Sequence, residues 1–116
     1  MADWTYEKEG VLDKIIQQNG GIVFVKTNVP QMLLSMDSSN RLYGNSKNPI
    51  NHDRVAGGSS GGCAALVACQ GTSLSFCGDI GGSIRGPASF CGVYGFKPSV
   101  YRVKISFIFM NIDFLI

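Results

Sequence analysis

The chain has 116 residues, which suffice for one small domain with a single hydrophobic core. Ten Lys and Arg residues against eight Asp and Glu residues give a net charge of +2, and this slight excess excludes a strongly basic nucleic-acid-binding surface. The four cysteines have no Cys-x-x-Cys spacing, and the single His52 is poorly placed to complete a zinc site. We therefore expect no metal and no other cofactor, and we predict buried free thiols in a reducing compartment.

The composition of the two ends bears on location. Residues 1–10 carry acidic side chains and lack the apolar stretch of a secretory signal, which indicates a cytoplasmic location or a cytosol-facing membrane surface. Residues 105–116 are strongly apolar but too few to cross a bilayer, so a buried strand is predicted there. Because this apolar end lacks a polar tail, we expect the chain to be a piece of a longer protein, with any membrane contact made by segments that it lacks.

The first third of the chain has the element order of an α/β protein. Thr5 can cap a first helix, in which residues 11–16 form an apolar stripe before the glycines at 20–21 end it. The continuous apolar run at 22–25 is rich in β-branched residues and predicts a strand covered on both faces. Asn28 can then cap a second helix.

The middle of the chain predicts a loop, a helix and a strand in that order. Residues 40–53 are polar and rich in turn-forming residues, which is typical of a loop. The Ala-rich segment 63–70, which is followed by a glycine, predicts a buried helix. Apolar and polar residues alternate over 73–77, which predicts a strand that leads into residues 79–83.

Two glycine-wrapped serine clusters, at 57–62 and 81–85, are the strongest chemical signal in the sequence. A flexible linker is disfavoured because apolar segments follow both clusters. A phosphate-binding loop is disfavoured because Cys63 stands where the motif requires lysine. A Ser-His-Asp triad is excluded within the chain because no histidine follows His52. A serine nucleophile activated by a lysine, with a second hydroxyl relaying the proton, remains compatible with two serine clusters.

Three segments together resemble the amidase signature family: residues 57–62, 78–85 and 90–99. Residues 25–40 resemble in particular its fatty acid amide hydrolase branch. The resemblance implies an α/β fold, to which the chain would contribute part of a large mixed sheet flanked by helices. We expect residues 1–99 to form this partial domain and residues 100–116 to be an apolar C-terminal segment without family resemblance.

The resemblance also implies roles for the serines. Ser83 would be the nucleophile that forms the acyl-enzyme, and Ser59 would relay its proton from a position that follows a cis peptide bond. Ser60 would support the hydroxyl network. The implied oxyanion hole consists of four backbone N–H groups, those of Ile80, Gly81, Gly82 and Ser83.

Three further positions take roles from the resemblance. Leu33 would line the substrate site, while Asp79 and Arg85 would be structural partners that hold the nucleophile loop. The catalytic lysine of the family lies upstream in a Ser-x-Lys context, which has no match in residues 1–58. Lys26 aligns with a later family strand whose lysine is not the base.

Two functions therefore stay open from the sequence. The first is a hydrolase of small amides, with a lipid-like acyl group, that acts through an acyl-enzyme on Ser83. The second is a truncated and catalytically silent product that at most binds lipid-like ligands or a partner chain, since removing one member of an interdependent triad abolishes most activity. Nothing in the sequence predicts the oligomeric state.

Overall fold

The computed structural model describes residues 9–100 and Arg102, so the predictions for Thr5 and for 105–116 lie outside the described residues. Its elements in chain order are helix α1 (Val11–Gln18), a 3-10 turn (Gln31–Leu33), strands β1 (Ser39–Asn40) and β2 (Gly44–Asn45), and helices α2 (Gly61–Ala68) and α3 (Arg85–Cys91). The two strands pair in antiparallel fashion, with Ser39 opposite Asn45. No helix within 9–100 is long and apolar enough to cross a membrane.

Helix α1 confirms the first predicted helix, with its start at Val11. The backbone N–H of Gly10 donates a hydrogen bond to the Asp13 carboxylate at 3.1 Å, so an acidic side chain in the first turn satisfies a donor at the helix start. The helix ends at Gly20, whose φ of 82° is the left-handed conformation that glycine adopts readily. Its apolar stripe is half-buried at most, because Ile15 on that stripe is exposed.

The strands predicted at 22–25 and 73–77 are wrong for the described structure, in which β1 and β2 form the single ladder among residues 9–100. Ile22 is 84% exposed and Phe24 is 63% exposed, although both belong to the run that was expected to be buried. An apolar β-branched run favours extended backbone, but a strand also needs a neighbour that accepts and donates its backbone hydrogen bonds. No described segment supplies that neighbour.

The second predicted helix is also wrong, because a 3-10 turn, Gln31–Leu33, forms after Asn28 instead of an α-helix. The φ of Leu33 is 60°, a left-handed conformation that cannot continue a right-handed helix. Rather than capping a helix, the Asn28 amide donates to the carbonyl oxygens of Ser38 at 3.0 Å and Gly44 at 3.2 Å. The side chain therefore ties the 3-10 segment to the β1–β2 hairpin.

Helices α2 and α3 pack against each other and form the centre of the described fold. Helix α2 confirms the predicted Ala-rich helix, but it begins and ends two residues earlier than expected. Helix α3 was not predicted, because the glycine and proline in its first turn weaken the helical signal. The small buried side chains of Ala56, Ala64 and Cys91 form the core between these helices and the preceding loop.

The cysteines differ in burial, contrary to the expectation that all would be buried. Cys91 is buried, Cys63 and Cys77 are half-buried, and Cys69 is exposed. All four are free thiols. The prediction missed Cys69 because this residue follows the last turn of α2, where the helix leaves the core.

Ser38 holds the first glycine-serine cluster in place. Its side chain is fully buried, and its hydroxyl lies within hydrogen-bond distance of the carbonyl oxygens of Gly57 at 2.9 Å and Ser59 at 3.0 Å. The same oxygen accepts a hydrogen bond from the Gly61 N–H at 2.8 Å. One hydroxyl thus contacts both sides of the loop that carries Ser59 and the first residue of α2.

We expect Ser38→Ala to lower the free energy of unfolding by about 1–3 kcal/mol, because it leaves the buried Gly61 N–H without an acceptor. The measurement is urea denaturation followed by circular dichroism. The control is Ser39→Ala at the adjacent exposed position, for which a change below about 0.5 kcal/mol is expected. Equal losses in the two variants would contradict the role of the Ser38 hydroxyl.

Candidate functional site

The fold brings together the serines of both glycine-serine clusters. The Ser60 backbone N–H donates a hydrogen bond to the Ser83 carbonyl oxygen at 3.1 Å, which joins the two clusters directly. Ser59 and Ser60 are each 5% exposed, and Ser83 is half-buried. All three line a single cavity of about 1220 Å³. Residues far apart in the sequence therefore meet at one surface that a ligand can reach.

The backbone around Ser59 has the geometry that the resemblance implies. The peptide bond between Gly58 and Ser59 is cis. A Cβ atom on Gly58 would lie 2.6 Å from the Asp37 nitrogen and 2.7 Å from the Ser35 carbonyl oxygen, closer than packed atoms approach. Glycine at this position lets the loop lie against the segment that precedes Ser38.

The second cluster is organised around the carboxylate of Asp79, which is 0% exposed. It accepts hydrogen bonds from the backbone N–H groups of Gly82 at 2.6 Å, Ile84 at 3.1 Å and Arg85 at 3.2 Å. The Arg85 guanidinium adds a bidentate contact, with Nε and Nη2 each 3.0 Å from a carboxylate oxygen. The loop from 79 to 85 therefore folds around one buried charge.

The hydrogen bonds decide the ionisation of Asp79. Burial raises the pKa of this carboxyl, but the Arg85 guanidinium and the backbone N–H donors outweigh burial and hold the pKa below its usual range. The same ion pair raises the pKa of Arg85. Asp79 is therefore a fixed negative charge at neutral pH, and every one of its donors belongs to the loop that carries Ser83 or to the start of α3.

The four N–H groups expected to form an oxyanion hole differ in their engagement. That of Gly82 already donates to Asp79. Those of Ile80, Gly81 and Ser83 have no acceptor within the described part of the chain, and these three residues line the cavity. The space beside Gly81 is open, since a Cβ built there would meet no atom within 4 Å. Three donors are thus available to a ligand at this loop.

The rest of the cavity wall is largely apolar. Leu33, the residue expected at the substrate site, lines it from the 3-10 turn. Other apolar side chains in the wall are Val11, Ile16, Phe24, Leu66, Phe76 and Ile80. The site accordingly combines polar serines at one place with an extended apolar surface around them, the composition that a ligand with a long hydrocarbon portion requires.

Sequence reasoning assigned no role to Ser38, Cys63 or Cys77, although all three are part of the site's surroundings. Ser38 is one of two adjacent serines, and only its burial and hydrogen bonds distinguish it from Ser39. Cys63 and Cys77 line the cavity from α2 and from the segment before Asp79. Their separation in the sequence left no spacing pattern to read.

We expect Asp79→Asn to lower the free energy of unfolding by about 2 kcal/mol at pH 7, because hydrogen bonds to a buried charge are lost or weakened. The pKa of Asp79 is lowered on folding, so its contribution is complete above the unfolded-state value of about 3.9. It is lost as the pH falls from there through the folded-state value.

The difference in stability between wild type and Asp79→Asn should therefore shrink below about pH 4. Urea denaturation at a series of pH values measures it. Asp53→Asn, at an exposed loop carboxylate, is the control and should leave the acid limb of the wild-type curve in place. A difference between wild type and Asp79→Asn that stays constant from pH 7 to pH 2 would contradict the assignment.

Comparisons with known proteins agree with this site. The Amidase family matches residues 1–106. Vitamin D3 hydroxylase-associated protein of Gallus gallus is 45% identical over 98 residues, which cover 84% of this chain and 21% of that protein. Fatty-acid amide hydrolase 1 of Sus scrofa is 45% identical over 100 residues, which cover 86% of this chain and 17% of that protein. The chain thus spans about a fifth of the length of these relatives.

The family also includes relatives of a different named function, and a solved structure supports the fold. A glutamyl-tRNA(Gln) amidotransferase of Marinomonas sp. is 47% identical over 97 residues, covering 83% of this chain and 20% of that protein. A solved structure of fatty acid amide hydrolase superposes with a TM-score of 0.79 at 40% identity, covering 82% of this chain and 17% of that chain. The α/β fold class is therefore confirmed, and the chain belongs to the Amidase family.

Proposed function

We propose that the chain carries the nucleophile and the proton relay of an amide hydrolase that acts through an acyl-enzyme on Ser83. The observation that carries the proposal is the junction of the two clusters, in which the Ser60 N–H bonds to the Ser83 carbonyl oxygen while Ser59 and Ser83 line the same cavity. Membership of the Amidase family supports amide bonds as the substrate class.

In the proposed reaction, the Ser83 Oγ adds to the amide carbonyl carbon while its proton passes to Ser59 and from there to a general base. The carbonyl oxygen becomes an oxyanion, which the free N–H groups of the nucleophile loop stabilise. Collapse of this intermediate breaks the C–N bond, and the amine leaves with the relayed proton. Water then hydrolyses the ester on Ser83. By resemblance the general base is a lysine, and none of the described lysines is assigned to that role.

The donors for the oxyanion are assigned from their hydrogen bonds. Gly82 is held by Asp79, which leaves three backbone N–H groups for the reaction, those of Ile80, Gly81 and Ser83. Asp79 and Arg85 hold the loop in shape and do not contact the substrate in this proposal. A charged, hydrogen-bonded anchor beneath the loop keeps the donors oriented before the substrate arrives, which is the condition for electrostatic stabilisation of an oxyanion.

The proposed substrate is a small amide with a lipid-like acyl group. The apolar wall around the serines supports this, because it offers Leu33, Phe24 and neighbouring side chains to a hydrocarbon chain. The similarity to proteins named fatty-acid amide hydrolase points in the same direction. Family relatives named as amidotransferases indicate that the family's signature residues alone do not specify the acyl group.

A second candidate function is binding of the same lipid-like amides without turnover. The exposed apolar wall favours it, because hydrocarbon contact with that wall requires neither the nucleophile nor a general base. The two candidates make different predictions for Ser83→Ala. Loss of amide turnover with intact binding supports the hydrolase, whereas binding by wild type with no turnover supports the second candidate.

We expect an alkyl fluorophosphonate to label Ser83, as shown by mass spectrometry of the labelled peptide. Ser83→Ala should lower total labelling at least about tenfold because the reacting oxygen is gone, and Ser59→Ala should slow it about 10²-fold because the proton relay is interrupted. Ser89→Ala is the matched control, since this exposed serine lies on α3 away from the cavity. Equal labelling of wild type and Ser83→Ala would overturn the nucleophile assignment.

We expect Leu33→Ala to weaken binding of a fluorescent fatty acyl amide about fivefold, because roughly 1 kcal/mol of apolar contact is lost. Fluorescence anisotropy measures the dissociation constant. Leu42→Ala is the control, because this exposed leucine lies between β1 and β2 and does not line the cavity. An equal effect of both substitutions would place the acyl group elsewhere.

A further inference from the structure

Two thiols face the cavity that holds the candidate serines. Cys63 lies in the first turn of α2 and Cys77 lies in the segment before Asp79, and both line the cavity together with Ser60. Both are half-buried, and the Cys63 Sγ is 2.9 Å from the Thr27 hydroxyl oxygen. The proposed hydrolase reaction uses neither thiol.

The two thiols are hydrogen-bonded to each other and have opposite ionisation. The hydrogen bond from Cys77 lowers the pKa of Cys63 to about 6, against the effect of burial, and the hydroxyls of Thr27 and Ser75 act in the same direction as Cys77. The hydrogen bond to Cys63, together with burial, raises the pKa of Cys77. At neutral pH Cys63 is therefore a thiolate and Cys77 is the S–H donor to it.

The other two cysteines lack this arrangement. Cys69 is exposed and does not line the cavity. Cys91 is buried, and burial raises its pKa, with the charge on Cys69 acting in the same direction. Metal binding does not account for the thiol pair, because the described residues contain no group of three or more His, Cys, Asp or Glu side chains that could hold an ion. The pairing of a thiolate with a resolving thiol is instead the pattern of redox-responsive cysteines.

We propose that Cys63 and Cys77 form a peroxide-responsive dithiol site in the cavity wall, in which Cys63 is oxidised first and Cys77 resolves it to a disulfide. This site goes beyond the proposed function and does not depend on it. The supporting geometry is the shared cavity, which admits a small oxidant, and the hydrogen bond that places the two sulfur atoms side by side.

The oxidant is a hydroperoxide, and hydrogen peroxide is its simplest member. The Cys63 thiolate attacks one peroxide oxygen, the O–O bond breaks, and hydroxide leaves and takes up a proton to become water. The resulting Cys63 sulfenic acid is attacked by Cys77. The S–S bond forms, the S–O bond breaks, and the departing hydroxide takes the Cys77 proton. Two thiols are oxidised by two electrons in total, and one peroxide is reduced to two waters.

Oxidation would also change the serine loop. The Cys77 thiol hydrogen-bonds to the side chain of Ser60, whose backbone N–H bonds to the Ser83 carbonyl oxygen. A disulfide has no S–H donor, so the contact between Cys77 and Ser60 is lost when the bond forms. The redox state of the thiol pair is thereby linked to the place where the two glycine-serine clusters meet.

The test begins with the full 116-residue chain in its reduced state, treated with an equimolar amount of hydrogen peroxide. Intact mass spectrometry should show the loss of two hydrogens, peptide mapping should locate the bond between Cys63 and Cys77, and dithiothreitol should reverse it. In Cys77→Ser, dimedone should trap a sulfenic acid on Cys63. In Cys63→Ser, the rate of oxidation should fall at least tenfold, whereas Cys69→Ser, the matched control, should form the same disulfide as wild type.

A measurement on wild type alone guards against variants that fail to fold. Alkylation by iodoacetamide, quantified for each cysteine by mass spectrometry, should give a rate for Cys63 that is nearly flat above pH 7 because its thiolate is already formed. The proposal is overturned if the Cys63 rate keeps rising to pH 9, if peroxide joins a different pair of cysteines, or if Cys63→Ser and Cys69→Ser are oxidised at equal rates.

Discussion

The buried carboxylate of Asp79 is the interaction on which the nucleophile loop depends. A carboxylate without solvent contact is tolerated only when hydrogen bonds and an opposite charge replace its hydration. Here five hydrogen bonds do so, three from backbone N–H groups and two from the Arg85 guanidinium. Because the backbone donors lie within the few residues after Asp79, satisfying the charge also dictates the path of the chain past Ser83 into α3.

The first glycine-serine cluster is held in a complementary way, by a neutral hydroxyl. Ser38 contacts the backbone on both sides of Ser59 and at the start of α2. The two anchored loops then meet through the hydrogen bond between Ser60 and Ser83. The serines are consequently presented by backbone that is fixed from beneath, while the cavity side stays open. Preorganisation of this kind is what catalysis by positioned hydroxyls and N–H donors requires.

The agreement between sequence and structure follows the range of the interactions involved. Helices α1 and α2 were predicted because apolar spacing, alanine content and terminal glycines act within a few residues. The segments 22–25 and 73–77 have strand-like composition, yet a strand is defined by a partner, and no described residues pair with them. Helix α3 was missed because Gly86 and Pro87 have poor helix propensity, which packing against α2 overrides.

The sequence by itself determined the two glycine-serine clusters, the resemblance that selects Ser59 and Ser83, and the absence of a histidine after His52. Only the tertiary structure decided that Gly82 is held by Asp79, that Ser38 anchors the first loop, and that two distant cysteines share a cavity wall. The reason is physical. Residue type and local spacing set which groups can react, whereas hydrogen-bond partners and pKa shifts arise between residues that only folding brings together.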